Sequence, residues 1–220
     1  MQRLLVSAVL FALSVPALAG NVALYPTTIL AAPTEKSAAL VLENKGSETE
    51  RYQVTVFAWS QSADGRDQVT ATQDLLAAPS IIEIPAKSKR AVRAIRLKGQ
   101  GTAGYYRLLL RQLPKAETGN GPAKVQMLIN QDLPLAFEDP KSGQPVLTAR
   151  FTVEGVLLSN TGPTAARLTT IGPTGQPAWR SGALGWVLPG QNKLVELKPG
   201  QKAASLTITV NGTPVSVSAN

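Results

Sequence analysis

The chain has 220 residues, with 22 Lys+Arg against 14 Asp+Glu for a formal charge of +8, and it contains neither cysteine nor histidine. Those absences exclude a thiolate nucleophile, a Ser-His-Asp triad, a zinc finger, a haem or His-ligated metal site and any internal disulfide. What remains is carboxylate, lysine or Ser/Lys chemistry, or binding without chemistry, and no cofactor or metal is implied.

Taken in chain order, Met1-Gln2-Arg3 is a short basic start. Leu4 to Val15 is an apolar run broken only by Ser7 and Ser14, and Pro16-Ala17-Leu18-Ala19 supplies a small-x-small cleavage signal before Gly20. That order reads as a secretory signal peptide over residues 1–19. The run is well short of the roughly 20 residues needed to cross a bilayer, and no later stretch approaches a transmembrane segment. An exported chain without cysteine fits a bacterial periplasm, where a hydrophobic core has to supply the stability.

The mature chain reads as short strands punctuated by turn residues. Ser37 to Glu43 is followed by an Asn44-Lys45-Gly46 turn. Tyr52 to Trp59 alternates and ends at Asp64-Gly65. Ile81–Ile84, Ala91–Leu97, Tyr105–Leu113 and Lys124–Phe137 complete a first series. After Glu138-Asp139-Pro140-Lys141-Ser142-Gly143 a second series contains Thr148–Leu158, Ala165–Ile171, Gly185–Leu188, Lys193–Leu197, Ser205–Val210 and Val215–Val217. Strands recurring about every 8–12 residues between turn signals predict an all-β sandwich, and two series predict two immunoglobulin-like sandwiches. The expected division is residues 20–139 and 140–220, with no clear sequence repeat between the halves.

Two motifs are decoys. Gly99-Gln100-Gly101-Thr102-Ala103-Gly104 spells G-x-G-x-x-G, but a dinucleotide loop needs a helix after it, and Tyr105–Leu113 is a strand stopped by Pro114. Asn211-Gly212-Thr213 matches a glycosylation sequon and equally a hairpin turn, which a periplasmic chain favours. From Lys87 to Lys115 there are nine basic residues and no acid. With only Tyr105 and Tyr106 interleaved and an export signal upstream, nucleic acid is not the expected partner. A solvated face or a carboxylate pocket is.

In Lys124-Val125-Gln126-Met127-Leu128-Ile129-Asn130-Gln131, residues Val125, Met127 and Ile129 share one face. Such alternation is what a strand packed in its own core shows. It also suits an uncharged edge strand, flanked by the polar loop Pro114–Pro122, that adds itself to another protein.

Tyr52-Gln53-Val54-Thr55-Val56-Phe57-Ala58-Trp59-Ser60-Gln61 and Asp74-Leu75-Leu76-Ala77-Ala78-Pro79-Ser80-Ile81-Ile82-Glu83-Ile84-Pro85 resemble the first domain of periplasmic pilus and fimbrial assembly chaperones, the PapD-like family. The likeness continues in order through Arg90-Ala91-Val92-Arg93-Ala94-Ile95-Arg96, Tyr105-Tyr106-Arg107-Leu108, Gln112-Leu113-Pro114 and Leu133-Pro134-Leu135-Ala136-Phe137. Leu158-Ser159-Asn160-Thr161-Gly162-Pro163 and Val187-Leu188-Pro189-Gly190 extend it into the second half, so it covers nearly the whole mature chain. The Trp-Ser-Gln and Leu-Pro-x-x-Phe forms resemble its archaic, spore-coat-U-associated branch.

The resemblance implies two immunoglobulin-like domains in an L or boomerang with a cleft between them. It implies a periplasmic, ATP-independent chaperone that lends a strand to a fimbrial subunit lacking one and delivers it to an outer-membrane usher. The lender here corresponds to 123–130, so Val125, Met127 and Ile129 are the expected inserted side chains, on the order of 5–9 kcal/mol of gross burial together. The better-known branch anchors the subunit's terminal carboxylate with an Arg and a Lys, whose places are taken here by Thr28 and Pro134. The expected replacement cation is Arg107, then Arg93 and Arg111; period-two alternation puts Arg107 and Arg111 on one face of one strand.

Two rivals come from other classes. A structural fimbrial subunit or adhesin calls for one incomplete domain and an alternating N-terminal extension, whereas Gly20–Thr28 is short and contains Pro26. A carboxylate glycan hydrolase needs two carboxyls across a cleft; the only adjacent acids, Glu138 and Asp139, read as a solvated linker.

Overall fold

The computed structural model describes residues 21–115 and 126–219. The expected signal peptide, residues 1–19, and Val125 lie outside the described residues. The first group of strands is β1 (Val22–Tyr25), β2 (Ile29–Ala31), β3 (Ser37–Asn44), β4 (Glu50–Gln61), β5 (Asp67–Ala71), β6 (Leu75–Ala78), β7 (Ile81–Ile84), β8 (Lys89–Arg96), β9 (Gly104–Gln112) and β10 (Asn130–Phe137). These build one sheet in the order β1-β3-β8-β6 and a second in the order β2-β10-β9-β4-β5, with β7 also paired to β4. The N-terminal strand switches sheets: β1 runs antiparallel to β3, while β2 runs parallel to β10.

A 3₁₀ turn at Pro140–Ser142 follows, its start capped by Asp139, which accepts from Lys141 N at 2.8 Å. The second group is β11 (Leu147–Phe151), β12 (Gly155–Asn160), β13 (Ala166–Pro173), β14 (Arg180–Val187), β15 (Asn192–Glu196), β16 (Ser205–Val210) and β17 (Thr213–Ser218). They form sheets β11-β12-β15 and β14-β13-β16-β17. The protein is therefore a pair of β-sandwiches, as its strand spacing predicts.

Alternation explains each core. Ala38, Leu40 and Leu42 of β3 face Leu108 and Leu110 of β9 and Leu135 and Phe137 of β10, all buried in one cluster. Val156 and Leu158 of β12 meet Leu168, Ile171, Leu206 and Ile208 of the opposing sheet in a separate cluster. Residues two apart on a strand share a face, so each apolar alternation buries one side and leaves the other to solvent or to a second contact.

Some strands differ from the sequence reading for local reasons. Thr148–Leu158 is a hairpin rather than one strand, because Thr152 N donates to Gly155 O at 2.8 Å and turns the chain. A Cβ on Gly155 would sit 2.2 Å from Val195 O, so only glycine closes that turn against β15. Strand β5 is exposed at every position, so it carries no alternation to read. The Asn211-Gly212 pair is the turn of the β16–β17 hairpin, with φ of 51° and 87°, in keeping with the left-handed geometry such turns require.

The two halves also share a polar corner that their strand patterns conceal. Asn44, buried at the end of β3, donates through Nδ2 to Glu48 O (2.7 Å) and Ile84 O (2.9 Å) and accepts from Gly46 N (2.9 Å). Asn160, buried at the end of β12, donates to Thr164 O (2.8 Å) and Val187 O (3.1 Å) and accepts from Gly162 N (3.0 Å) and Val146 N (3.1 Å). In both, Asn-x-Gly at a strand end lets one amide satisfy carbonyls and amides that the turn strips of ladder partners.

Candidate functional site

Strand β10 carries a gradient of burial along one face. Phe137 and Leu135 are fully buried, Leu133 is buried, Gln131 and Ile129 are half-buried, and Met127 is 79% exposed. The face that fills the core of the first sandwich thus runs on past the end of that core. The expected strand Lys124–Phe137 is corrected at its start, since β10 begins at Asn130. The reason lies in β9. Its last rung pairs Asn130 with Arg111; Leu113 N faces β4 and donates to Arg51 O at 2.8 Å, and Pro114, the next residue turned toward β10, has no N–H to offer. Of 126–129, Ile129 is tied to β9, through Gln112. Gln112 N donates to Ile129 O at 3.4 Å, and Ile129 N donates to Gln112 Oε1 at 2.9 Å. Leu128, on the other face, is exposed as well. Gln131 Oε1 is buried without a hydrogen-bond partner among the described residues, and it interrupts the apolar face where the core ends.

The basic stretch does not form one patch, because alternate strands send its cations to different places. Arg93 is exposed on β8, in the other sheet from Arg107 and Arg111, so the three do not come together. Arg96 is buried; it donates to the carbonyls of Pro33 (3.0 Å) and Thr102 (2.7 Å) and lies 4.5 Å from the centroid of the Phe137 ring. That fixes the Gly99–Gly104 loop as a connection between strands, with no helix behind it. Lys89 pairs with Glu43 and Lys115 with Glu48 and Glu50. Arg107 donates from Nε to Asp132 at 2.8 Å, and its guanidinium sits 4.8 Å from the centre of the Trp59 ring. Arg111 is exposed further along the same face of β9. Arg107 also occupies a telling rung: it lies opposite Pro134 of β10, whose next residue, Leu135, pairs with Ile29, the neighbour of Thr28.

The outer face of this sheet meets the second sandwich. Trp59 and Ala136 pack with Ala165, Trp186 and Leu188, with Tyr105 against them, and the two indole rings lie 5.6 Å apart. Gln61, buried, clamps the backbone of the second sandwich: Nε2 donates to Trp186 O at 2.7 Å, and Oε1 accepts from Leu188 N at 2.9 Å. Beside it the turn before β5 is held by Lys193–Asp67 (2.5 Å), Arg66–Glu154 (3.0 Å) and Leu194 N donating to Gly65 O (3.0 Å). Burial works against ionisation of Asp67, but the Lys193 ammonium and the Gln61 amide outweigh it and hold the carboxyl below its usual range.

Glu138 also corrects an expectation. It is not a solvated linker acid: one carboxylate oxygen accepts from Tyr105 Oη (2.5 Å) and from Ala165 N (2.6 Å), joining the sandwiches. Burial, then the adjoining Glu138 carboxylate, push the Tyr105 hydroxyl well above its ordinary range. Between the two halves a cleft of about 440 Å³ is lined by Leu30, Glu35, Glu138, Ala165, Arg167 and Trp186. The structural roles of Trp59, Gln61 and Glu138 escaped the sequence reading, although the change of parity in β4 was visible: Tyr52, Val54 and Val56 face in, whereas Trp59 and Gln61 are buried from the other side.

Among the described residues no helix is long and apolar enough to cross a membrane. No curated protein matches the chain in sequence. In fold it is similar to a chain of the chaperone–tip adhesion subunit pre-assembly complex of the archaic Csu pili of Acinetobacter baumannii (19% identity, TM-score 0.72, covering 91% of this chain and 100% of that one). It is similar also to a chain of the Salmonella enterica SafA pilin–SafB chaperone complex (16%, TM-score 0.66, 90% and 95%) and to the Pseudomonas aeruginosa CupB2 chaperone (16%, TM-score 0.62, 90% and 100%). Residues 21–143, more than half of the chain, match the family described as the pili and flagellar-assembly chaperone, PapD N-terminal domain. Two fused β-sandwiches with a buried joint, and an apolar face that outruns its own core, thus belong to a member of the PapD-like family of pilus-assembly chaperones.

Proposed function

We propose that this chain is the periplasmic chaperone of a chaperone–usher fimbria. In this reading it lends the segment around Val125, Met127 and Ile129 to a fimbrial subunit that lacks a strand, and it delivers the complex to an outer-membrane usher. The observation that carries the reading is the β10 face, apolar from Phe137 to Leu133, resumed at Ile129 after Gln131, and exposed at Met127 beyond the last rung of β9. An extended chain on that edge gains main-chain hydrogen bonds from one row and apolar burial from the other. The fold shared with a chain from archaic Csu pili, together with the Trp59-Ser60-Gln61 form, supports the archaic branch.

The terminal carboxylate of the subunit is assigned to Arg107, with Arg111 beside it. Arg107 stands on the rung of Pro134 and next but one to Thr28, the two places that lack the familiar anchors. Its partner Asp132 is about half exposed in its side chain whereas Arg107 is 23% exposed, so an incoming carboxylate can replace Asp132 from the solvent side and keep the guanidinium paired. Arg93, on the other sheet, has no geometric part in this anchor.

Co-expression with the fimbrial subunit and co-purification test the reading. Val125→Asp, Met127→Asp and Ile129→Asp are expected to abolish capture while the chaperone stays folded, and Arg107→Ala to reduce it. Capture persisting in all three Asp variants overturns the donor segment, and undiminished complex with Arg107→Ala overturns the anchor. A purified protein that polymerised alone would instead favour a structural subunit.

A further inference from the structure

A buried carboxylate stands at the foot of the proposed donor segment. Glu50, at the start of β4, is 4% exposed. One of its oxygens accepts from Lys115 Nζ at 2.9 Å, the same ammonium that reaches Glu48 at 2.7 Å, and the other accepts from Gln112 Nε2 at 2.7 Å. Lys115 follows the end of β9 and Ile129 precedes β10, and Gln112 ends β9. Burying a carboxylate is unfavourable unless it is paired, and here both oxygens have partners. The nearby Tyr52 hydroxyl registers the site: burial first, then the Glu50 charge, push it up to about 12.

The carboxylate decides which way the Gln112 amide points. An ionised carboxylate only accepts, so it takes the NH₂ group of Gln112 and leaves Oε1 as the acceptor on the opposite side. That oxygen receives Ile129 N at 2.9 Å, while Gln112 N donates to Ile129 O at 3.4 Å. One residue therefore holds both backbone groups of Ile129. A slip of one residue turns every side chain of a strand to the other face, and a slip of two keeps the face but shifts which residue leaves the sheet. A hydrophobic face interrupted by Gln131 is poorly equipped to set this by packing alone.

We propose that Gln112, oriented by the buried Glu50 carboxylate, is a positioning residue that fixes the register at which β10 gives way to the donor segment, making Ile129 the last sheet-bound residue and Met127 the first free one on its face. Its value to subunit capture rests on the donor-strand reading above; its effect on Ile129 does not.

The test exchanges the pair. Gln112→Ala removes the clasp, and Gln112→Glu sets two carboxylates against each other. The double exchange Glu50→Gln with Gln112→Glu restores an amide–carboxylate pair with reversed polarity and leaves a carboxylate oxygen to accept Ile129 N. In the free, full-length protein, amide hydrogen exchange of Ile129 is expected to accelerate about tenfold in either single variant, the equivalent of one hydrogen bond. Leu110 and Leu133 are expected to hold their protection, and the double exchange to bring Ile129 back. Subunit capture is expected to follow the same order. Unchanged Ile129 exchange in Gln112→Ala, or loss of protection spread evenly over β9 and β10, overturns the clasp. Restored Ile129 protection with capture indifferent to the Asp variants of the donor segment leaves the clasp standing and sinks the donor reading instead.

Discussion

Met127 and Ile129 carry the same kind of side chain on the same face, yet they start from different burial, and that difference is measurable. Met127 is 79% exposed in the free protein. Fully burying a methionine side chain is worth roughly 1.5–3 kcal/mol, so about four-fifths of that, roughly 1.2–2.4 kcal/mol, is still to be gained when a partner covers it. Met127→Ala is then expected to weaken subunit binding by about seven- to fiftyfold. It should shift the melting temperature of the free chaperone by less than about 2 °C, since an exposed side chain contributes little to folding. Ile129 is half-buried and already packed at the rim. Ile129→Ala is expected to divide its cost, lowering the melting temperature by about 2–4 °C and weakening binding less than Met127→Ala does. Thermal unfolding of the purified chaperone variants, alongside competition for a limiting subunit, reads both quantities. Equal losses of stability in the two variants, or binding indifferent to Met127→Ala, refute the gradient argument.

The paired corners give a second expectation. Asn44→Ala and Asn160→Ala strand several buried backbone groups, each worth about 1–3 kcal/mol, so both are expected to lose about 3 kcal/mol or more, with Asn160→Ala the worse because it also frees Val146 N. Urea unfolding measures both. Gly65 has a φ of +83°, and a Cβ there would lie 2.3 Å from Leu194 N, so Gly65→Ala is expected to loosen the joint between sandwiches and increase proteolytic cleavage of the Ser62–Arg66 turn. The Asp67 carboxyl is held below its usual range in the folded protein. Its contribution is therefore complete above the unfolded value of about 3.9 and is lost as pH falls through the lower folded value. The stability gap between the wild type and Asp67→Asn is expected to hold from pH 7 to 5 and to close below about pH 4; a gap that grew on acidification would contradict the assignment.

Much of the fold was legible because a sandwich core is written in alternation. Leu40 and Leu42 mark it in the first half, as do Leu108 and Leu110, and the second half betrays itself through Leu206, Ile208 and Val210. What escaped was what alternation does not encode. Strand β5 is exposed throughout, β1 and β2 are short and split by Pro26, and β11 and β12 are fused in sequence by a turn whose glycine is required by β15, far along the chain. The joint between the sandwiches escaped for a related reason. Trp59 and Gln61 continue a strand whose earlier residues face its own core, and their burial depends on Trp186 and Leu188, more than a hundred positions away. Among the candidate cations, sequence alone placed Arg107 and Arg111 on one face. Arg93 stands apart from them in the other sheet, which nothing local in the sequence tells.

In the proposed donor role the edge has to be firm up to one residue and open after it, and the two faces of β10 address that demand separately. On the inner face the Gln112 amide ends the ladder at Ile129. On the outer face Asp132 of β10 is tied to Arg107 of β9, under the Trp59 ring that also packs on Trp186. The outer tie is ionic and open to solvent on its Asp132 side, so a competing carboxylate can take the place of Asp132 there. The inner one is anchored on a buried carboxylate, where removal of one partner leaves an uncompensated charge. An exchangeable pair is what a docking anchor needs, and a costly one is what a register mark needs. The charge that a count of +8 leaves looking diffuse thus includes cations in different settings: Lys115 is held beside the buried Glu50, and Arg107 is paired to the half-exposed Asp132.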